Sequence, residues 1–279
     1  STNTSQVSRK TVNVLMLVIL AFLTTLPIFW CIITSLKTPQ DISAYPPKIF
    51  NFTVTWNNYK QVFAQSFLQT AGNSVVYSLL TILACLVLGY LAAYGFERRR
   101  FPLKKLLFYI VVIGIPLSTG SSVLLIPNYL MMMKLHLTNH WYTLPLLYTA
   151  YNLPLVIWML ISGVRGLPYE IEEAARIDGC SQFYIITRII PPVIRPSFAA
   201  AALFAFIGAW NEFITATVMV NGYALKNIQM AIYDYIGFFG QEWGPLCGAA
   251  TLAIIPILLV FTFLGKQLVS GLTAGAVKG

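Results

Sequence analysis

Glu172-Glu173-Ala174-Ala175-Arg176-Ile177-Asp178-Gly179, then Cys180-Ser181-Gln182-Phe183-Tyr184-Ile185-Ile186-Thr187-Arg188, then Pro191-Pro192 and Pro196, make a polar island between two apolar stretches, bounded by Arg165 and Arg195. Pro168 suits the first turn of a helix, and the carboxylates of Glu170, Glu172 and Glu173 fall near that helix's positive end. Gly179 suits its stop, because glycine takes the left-handed conformation without a Cβ penalty. Ser181 can cap a second short helix that ends before the prolines. Ala174, Ala175 and Gly179 lie at near-helical spacing and predict a bare face on which another chain could pack. On composition alone the piece is an amphipathic helical hairpin, an elbow too polar to lie in lipid.

Around the elbow the chain is apolar. It has 279 residues, 57% hydrophobic and 10% charged, with mean hydropathy +0.72. That excludes a soluble domain and predicts an all-α integral membrane protein. Runs of about 20 apolar residues suffice to cross a bilayer. Six stretches qualify: 12–35, 70–96, 106–133, 142–162, 196–220 and 245–268. The first is too long for a signal-peptide core, which runs about 7–15 residues, and reads as a retained span. Gly72, Ala84, Gly89, Ala92 and Ala93 suit close helix packing in the second. The third is interrupted by Gly114, Pro116, Gly120 and Pro127.

The net charge of +9 follows membrane topology. Arg9, Lys10, Arg98, Arg99, Arg100, Lys104, Lys105, Arg165, Arg176, Arg188, Arg195, Lys266 and Lys278 fall on one side of a six-span arrangement; Lys37, Lys48, Lys60, Lys134 and Lys226 fall on the other. The positive-inside rule then places both termini and the elbow in the cytoplasm, and no nucleic-acid partner is needed. The expected organisation is a cytoplasmic N-terminus at 1–11, a permease domain at 12–268 with the elbow at 165–195, and a cytoplasmic tail at 269–279.

No chemistry-bearing constellation stands out. Cys31, Cys85, Cys180 and Cys247 are scattered without paired spacing and read as small buried residues. His136 and His140 lack acidic or Cys company, so no metal site is expected. Gly265-Lys266-Gln267 is no phosphate loop, since its first glycine position is Val260. Energy for any transport must come from a partner, an ion gradient or nothing at all. Ionisable groups inside spans are costly and usually functional. Glu212, in Trp210-Asn211-Glu212-Phe213, is the one acid well inside a predicted span, and reads as part of a polar patch lining a pathway or, alternatively, as a structural hydrogen-bonding group. Asn128 and Tyr129, with Ser118, Thr119, Ser121 and Ser122, are candidates for the same wall, although membrane helices also use Ser and Thr for packing.

The order Glu173-Ala174-Ala175, three residues, Gly179, and Pro192 thirteen positions later resembles the EAA loop of bacterial ABC importer permeases. Asn57-Asn58-Tyr59, Asn73-Ser74, the Trp210–Phe213 patch and the Gly271-Leu272-Thr273 to Gly275–Gly279 ending resemble the carbohydrate branch, the kind represented by the smaller permease subunit of the maltose importer. One departure is Pro191, where a leucine is usual. The resemblance, covering most of the chain, implies a six-span type I importer fold in a bacterial inner membrane. It implies a homologous second permease, two cytosolic ABC ATPase subunits that use ATP and Mg, and an extracytoplasmic solute-binding protein. This chain itself would bind no cofactor and catalyse nothing.

By the same resemblance, Glu172, Glu173, Ala174, Ala175, Asp178, Gly179 and Pro192 would couple to the ATPase, with Glu173 meeting a basic partner and the tail also touching the ATPase pair. Tyr235, Gly237, Phe238, Phe239, Gly240, Gln241 and Trp243, in the loop 221–244, would meet the binding protein. The expected cargo is a sugar or oligosaccharide, with glycerol-phosphate and uronate polymers as alternatives. An ion-driven carrier and a membrane scaffold are the rival classes; a single buried acid and the elbow's spacing speak against them.

Overall fold

A computed structural model describes the backbone of residues 2–119, 121–237 and 240–276, and the side chains of 12–117, 124–237 and 240–266. Among these residues four helices are long and apolar enough to cross a membrane, with spans Val12–Ser35, Phe67–Arg98, Thr143–Arg165 and Trp243–Lys266. They coincide with four of the six predicted stretches. A fifth candidate is the pair Gln182–Val193 and Arg195–Trp210, bent by 81°.

Two expectations change. The stretch 106–133 is two helices, Lys104–Thr119 of 16 residues and Ser121–Lys134 of 14, each with an internal proline. Neither alone reaches the roughly 20 residues of a straight crossing. The stretch 196–220 is not continuous either. Arg195–Trp210 stops at Asn211, and Ile214–Met219 begins only after Phe213. A small antiparallel pairing, Ile236–Gly237 with Gly240–Gln241, interrupts the otherwise helical chain.

The chain divides into two compact units. The first comprises 1–67 and 231–255: the helix Thr2–Ser35, a loop, the helix Asn57–Ala64, the small hairpin and the start of the helix Trp243–Ala276. Asn58 ties it together. Its buried Nδ2 donates to the carbonyls of Ser35 at 2.8 Å and Lys37 at 2.9 Å. Gly244 gives it room, since a Cβ there would come within 2.5 Å of the Asn58 amide. Tyr59 Oη and Ser35 Oγ lie 2.7 Å apart. In the loop, Asp41 accepts from Lys48 Nζ at 2.5 Å, the Thr53 N–H at 2.9 Å and the Thr38 hydroxyl at 3.0 Å. These donors hold its carboxyl down to about 2.

The second unit, 68–230 and 256–279, is built around the helix Thr143–Arg165. Small residues set its close approaches. A Cβ on Gly89 would meet Val156 at 2.7 Å, and one on Gly163 would meet Ser197 Oγ at 2.4 Å. Small residues let helix backbones approach in this way, bringing dispersion contacts that lipid-exposed helices cannot gain from the hydrophobic effect. Two apolar clusters result. One gathers Tyr90, Val156, Leu160 and Val164 with Ala175, Ile185 and Ile190, so the elbow is rooted in it. The other gathers Tyr77, Leu144, Tyr148, Met219 and Met230.

Two outcomes test this account. Because the folded-state value of Asp41 lies below its ordinary 3.8, its stabilisation is complete above about pH 4 and is lost as pH falls through about 2. Pepsin digestion of the loop around Asp41 should accelerate across that window in the wild type and lose this acid dependence in Asp41→Asn; identical profiles would contradict the assignment. Gly163→Val should wedge the two helices apart and cost about 1–3 kcal/mol in thermal unfolding of the purified protein, whereas Gly95→Ala, with nothing within 4 Å of the added Cβ, should be neutral or better.

Candidate functional site

Three regions were singled out by sequence: the elbow, the Glu212 patch and the loop before the last long helix. In the elbow, the helix Glu170–Ile177 carries Glu170, Glu172 and Glu173 in its first turn. Gly179, at φ +82°, ends it. The Cys180 N–H donates to the Ala175 carbonyl and the Gly179 N–H to the Arg176 carbonyl, both at 3.0 Å, the Schellman pattern that satisfies the last carbonyls. Ser181 Oγ then accepts the Tyr184 N–H at 3.2 Å, the predicted cap. The second helix does not end before the prolines as expected. It continues as a π-helical stretch, Ile185–Ile189, into Ile190–Val193, where Pro191 and Pro192 occupy the first turn. Tyr90 Oη donates to the Ile186 carbonyl at 2.7 Å within this widened stretch, and Pro needs no donor in a first turn.

The elbow's carboxylates divide by function. Glu172 is 0% exposed. It accepts from Arg98 Nε at 2.5 Å and from Tyr94 Oη at 2.9 Å, with Arg176 Nη2 at 3.5 Å. Arg98 also donates to the carbonyls of Leu167 at 2.8 Å and Val164 at 3.2 Å. Gln182 Nε2 donates to Tyr94 Oη at 2.6 Å. One buried ion pair thus fastens both elbow helices to the ends of Phe67–Arg98 and Thr143–Arg165. Glu173, Ala174, Asp178, Gly179 and Pro192 are exposed, whereas Ala175 is buried. The predicted bare face is therefore split, because Ala175 packs into the unit's own core. Sequence reasoning passed over Ile177 and Phe183, which stand 86% and 77% exposed beside those residues. Their apolar character within a polar island was the available signal.

The second region is a cavity of about 580 Å³, lined by Tyr148, Tyr151, Asn152, Asn211, Glu212 and Phe213 among others. The helix break at 211–213 forms part of its wall. Four backbone groups at the break are taken up by side chains. The Glu212 carboxylate accepts the N–H groups of Thr215 at 3.0 Å and Ala216 at 3.2 Å, capping Ile214–Met219. Asn227 Nδ2 donates to the Glu212 carbonyl at 2.6 Å, and Gln229 Nε2 to that of Trp210 at 3.2 Å. Gly208 leaves space for Asn152, whose amide oxygen would stand 2.1 Å from a Cβ there.

Of the five residues predicted for a pathway wall, Asn211 and Glu212 line this cavity. Trp210 does not: it is buried and stacks on Phe206 at 5.3 Å. Asn128 reaches the wall indirectly, donating from Nδ2 to Tyr151 Oη at 2.8 Å. Tyr129 packs against the neighbouring apolar cluster. The side chains of Ser118, Thr119, Ser121 and Ser122 lie outside the described residues. Asn227 was missed; its place before Ile228, where its Oδ1 accepts the Met230 N–H at 2.9 Å, is that of a helix cap and was its only local signal.

In the third region, Ile236, Gly237, Gly240, Gln241 and Trp243 are exposed on or beside the hairpin. Tyr235 is buried, and burial first, then Glu242 and Asp234, pushes its hydroxyl up to about 12. It belongs to the hairpin's base. Phe238, Phe239 and the side chains of the tail lie outside the described residues. His140 stacks on Tyr142, and among the described residues no three His, Cys, Asp or Glu gather as a metal site.

The family model described as "Binding-protein-dependent transport system inner membrane component" matches residues 85–273. The sulfoquinovosyl glycerol transport system permease protein SmoH of Agrobacterium fabrum is 32% identical over 255 residues, 91% of this chain and 88% of that protein. The trehalose/maltose transport system permease protein MalG of Thermococcus litoralis is 30% identical over 280 residues, 98% and 99% of the two chains. Among solved structures, a bacterial ABC transporter for import of the acidic polysaccharide alginate superposes with TM-score 0.78 at 19% identity, covering 94% of this chain and 97% of its own. At that identity it speaks for the fold alone.

The elbow clamp is directly testable. Arg98→Met leaves the buried Glu172 carboxylate without its guanidinium and should cost about 3 kcal/mol or more. Faster proteolysis between Ile177 and Phe183 should report it, and the double change with Glu172→Met should recover much of the loss. No change in the single variant would show the pair to be dispensable.

Proposed function

The chain belongs to the binding-protein-dependent transport system inner membrane components, and from that membership we propose that it is one half of the translocation pathway of an ATP-driven importer of neutral sugars or oligosaccharides. A member of this family is a multi-pass inner-membrane subunit and does no catalysis itself. The observation that carries the finer reading is the broken helix at 211–213, which forms one wall of the 580 Å³ cavity. At membrane depth, non-helical backbone is tolerated only where it is buried in protein or lines a polar cavity. Aromatic faces from Tyr148, Tyr151 and Phe213 beside the amides of Asn152 and Asn211 match a sugar's alternation of C–H faces and hydroxyls.

Among the described residues the lining holds no Lys or Arg, and its one carboxylate is occupied in capping a helix. That favours neutral cargo over glycerol-phosphate or uronate polymers, although relatives transport sugar derivatives of several kinds. In the six-span reading, Lys104–Thr119 with Ser121–Lys134 makes the third crossing and Arg195–Trp210 with Ile214–Met219 the fifth. Both termini and the elbow then lie in the cytoplasm, where basic residues concentrate. A homologous second permease completes the pathway. The exposed Glu173, Ala174, Asp178, Gly179 and Pro192, with Ile177 and Phe183, dock on one of two ABC ATPase subunits, which hold the ATP and Mg. The 236–241 hairpin and Trp243 face the solute-binding protein.

The test is reconstitution of the complex with its binding protein loaded with a neutral disaccharide or with a uronate oligosaccharide. ATPase activity should rise with the neutral sugar. Glu173→Arg should lower that stimulated rate about tenfold, equivalent to about 1.4 kcal/mol, while insertion and basal hydrolysis persist. A chain that purifies without an ATPase partner would overturn the importer reading; stimulation by the uronate alone would overturn the choice of cargo.

A further inference from the structure

Lys37 is an unusual lysine. It lies two residues beyond the end of the apolar span Val12–Ser35, yet it is only 2% exposed. Its Nζ sits 4.6 Å from the centroid of Trp30 and 5.4 Å from that of Phe52. Among the described residues no carboxylate or carbonyl accepts a hydrogen bond from it; it forms no ion pair, and Asp41 acts on it only at longer range. The backbone around it is fixed, because the Lys37 carbonyl accepts from Asn58 and Lys37 bridges to Val54 across the loop.

This ammonium lines a cavity of about 350 Å³, together with Trp30, Thr34, Asp41, Lys48 and Trp243. Asp41 does not neutralise the cavity. Its oxygens are already engaged by Lys48, Thr38 and the Thr53 N–H. The two lysines and one aspartate leave one positive charge in excess. Burying a cation without hydrogen-bond acceptors is costly, so a resident anion is the natural complement. Burial also lowers the proton affinity of Lys37, a penalty that an arriving anion relieves. Trp30 and Trp243 are half-exposed at the rim. Tryptophans at the end of a span take headgroup level in a bilayer.

We propose that this cavity binds the phosphate of a glycerophospholipid headgroup, with Lys37 and Lys48 donating to the phosphate oxygens and the two tryptophans flanking the glycerol. The proposal rests only on the helix ending at Ser35 crossing the membrane, and it stands or falls independently of the sugar cargo. A free phosphate shares the same recognising chemistry, so the test separates the two sources.

The assembled transporter, delipidated in detergent, is titrated with dioleoyl phosphatidylglycerol, with dioleoylglycerol lacking the phosphate, or with inorganic phosphate. Bound mass is read by native mass spectrometry, and Lys37 reactivity by amine acylation. Phosphatidylglycerol should be retained and should protect Lys37, and dioleoylglycerol should do neither. Lys37→Met should weaken retention roughly tenfold or more, the scale of a lost charge-assisted hydrogen bond, and Lys37→Arg should restore it. Acylation protection is read on the wild type and needs no variant to fold. Equal retention by wild type and Lys37→Met, retention of dioleoylglycerol, or protection by inorganic phosphate but not by the phospholipid would each overturn the proposal.

Discussion

A helix that breaks leaves backbone amides and carbonyls in need of partners, and in the second unit side chains meet that need at 211–213. The Glu212 carboxylate replaces the missing acceptors for Thr215 and Ala216, and Asn227 and Gln229 replace the missing donors for the carbonyls of Glu212 and Trp210. Asn227 is in turn held by the chain that Asn73 and Ser74 pin: Asn73 donates to the carbonyls of Ala224 and Lys226, and Ser74 accepts the Ile228 N–H. The polar side chains around the break therefore form one connected set beside the cavity. None of them needs to be a proton carrier to explain its presence.

The elbow solves a different problem, that of joining a polar surface element to apolar helices without slack. Its turn is set locally by Gly179 and Ser181, but its attachment is electrostatic and buried. Arg98 reaches across from one helix end to satisfy Glu172 and two carbonyls of another. Such a pair adds little net stability over an apolar substitute, but removing one partner is severe. The arrangement trades tolerance for a fixed geometry.

How much of this was legible from the sequence depends on the range of each interaction. Four long spans, the Gly179 stop and the Ser181 cap follow from composition and from neighbours within a few residues. The inward turn of Glu172 does not, since its partner lies 74 positions earlier and an acidic residue in a first helical turn already has a sufficient local explanation. The break at 211–213 sits in an apolar run whose mean hydropathy predicts continuity; the capping of Ile214–Met219 by Glu212, which starts a new helix there, is visible only in three dimensions. Trp210 looked like a lining residue because it adjoins Asn211, yet one residue along a helix turns a side chain by about 100°, away from the cavity and onto Phe206.

The Arg98–Glu172 pair also imposes an order on synthesis. Arg98 leaves the ribosome first and waits, its charge held at the end of one span, until the Thr143–Arg165 helix has delivered its carbonyls and the elbow its carboxylate. By the time Glu172 is made, both Arg98 and the carbonyls that hold it already exist, and the carboxylate completes the set. A set elbow is therefore the last piece of this clamp to form, closing only on residues that the two preceding helices have already supplied.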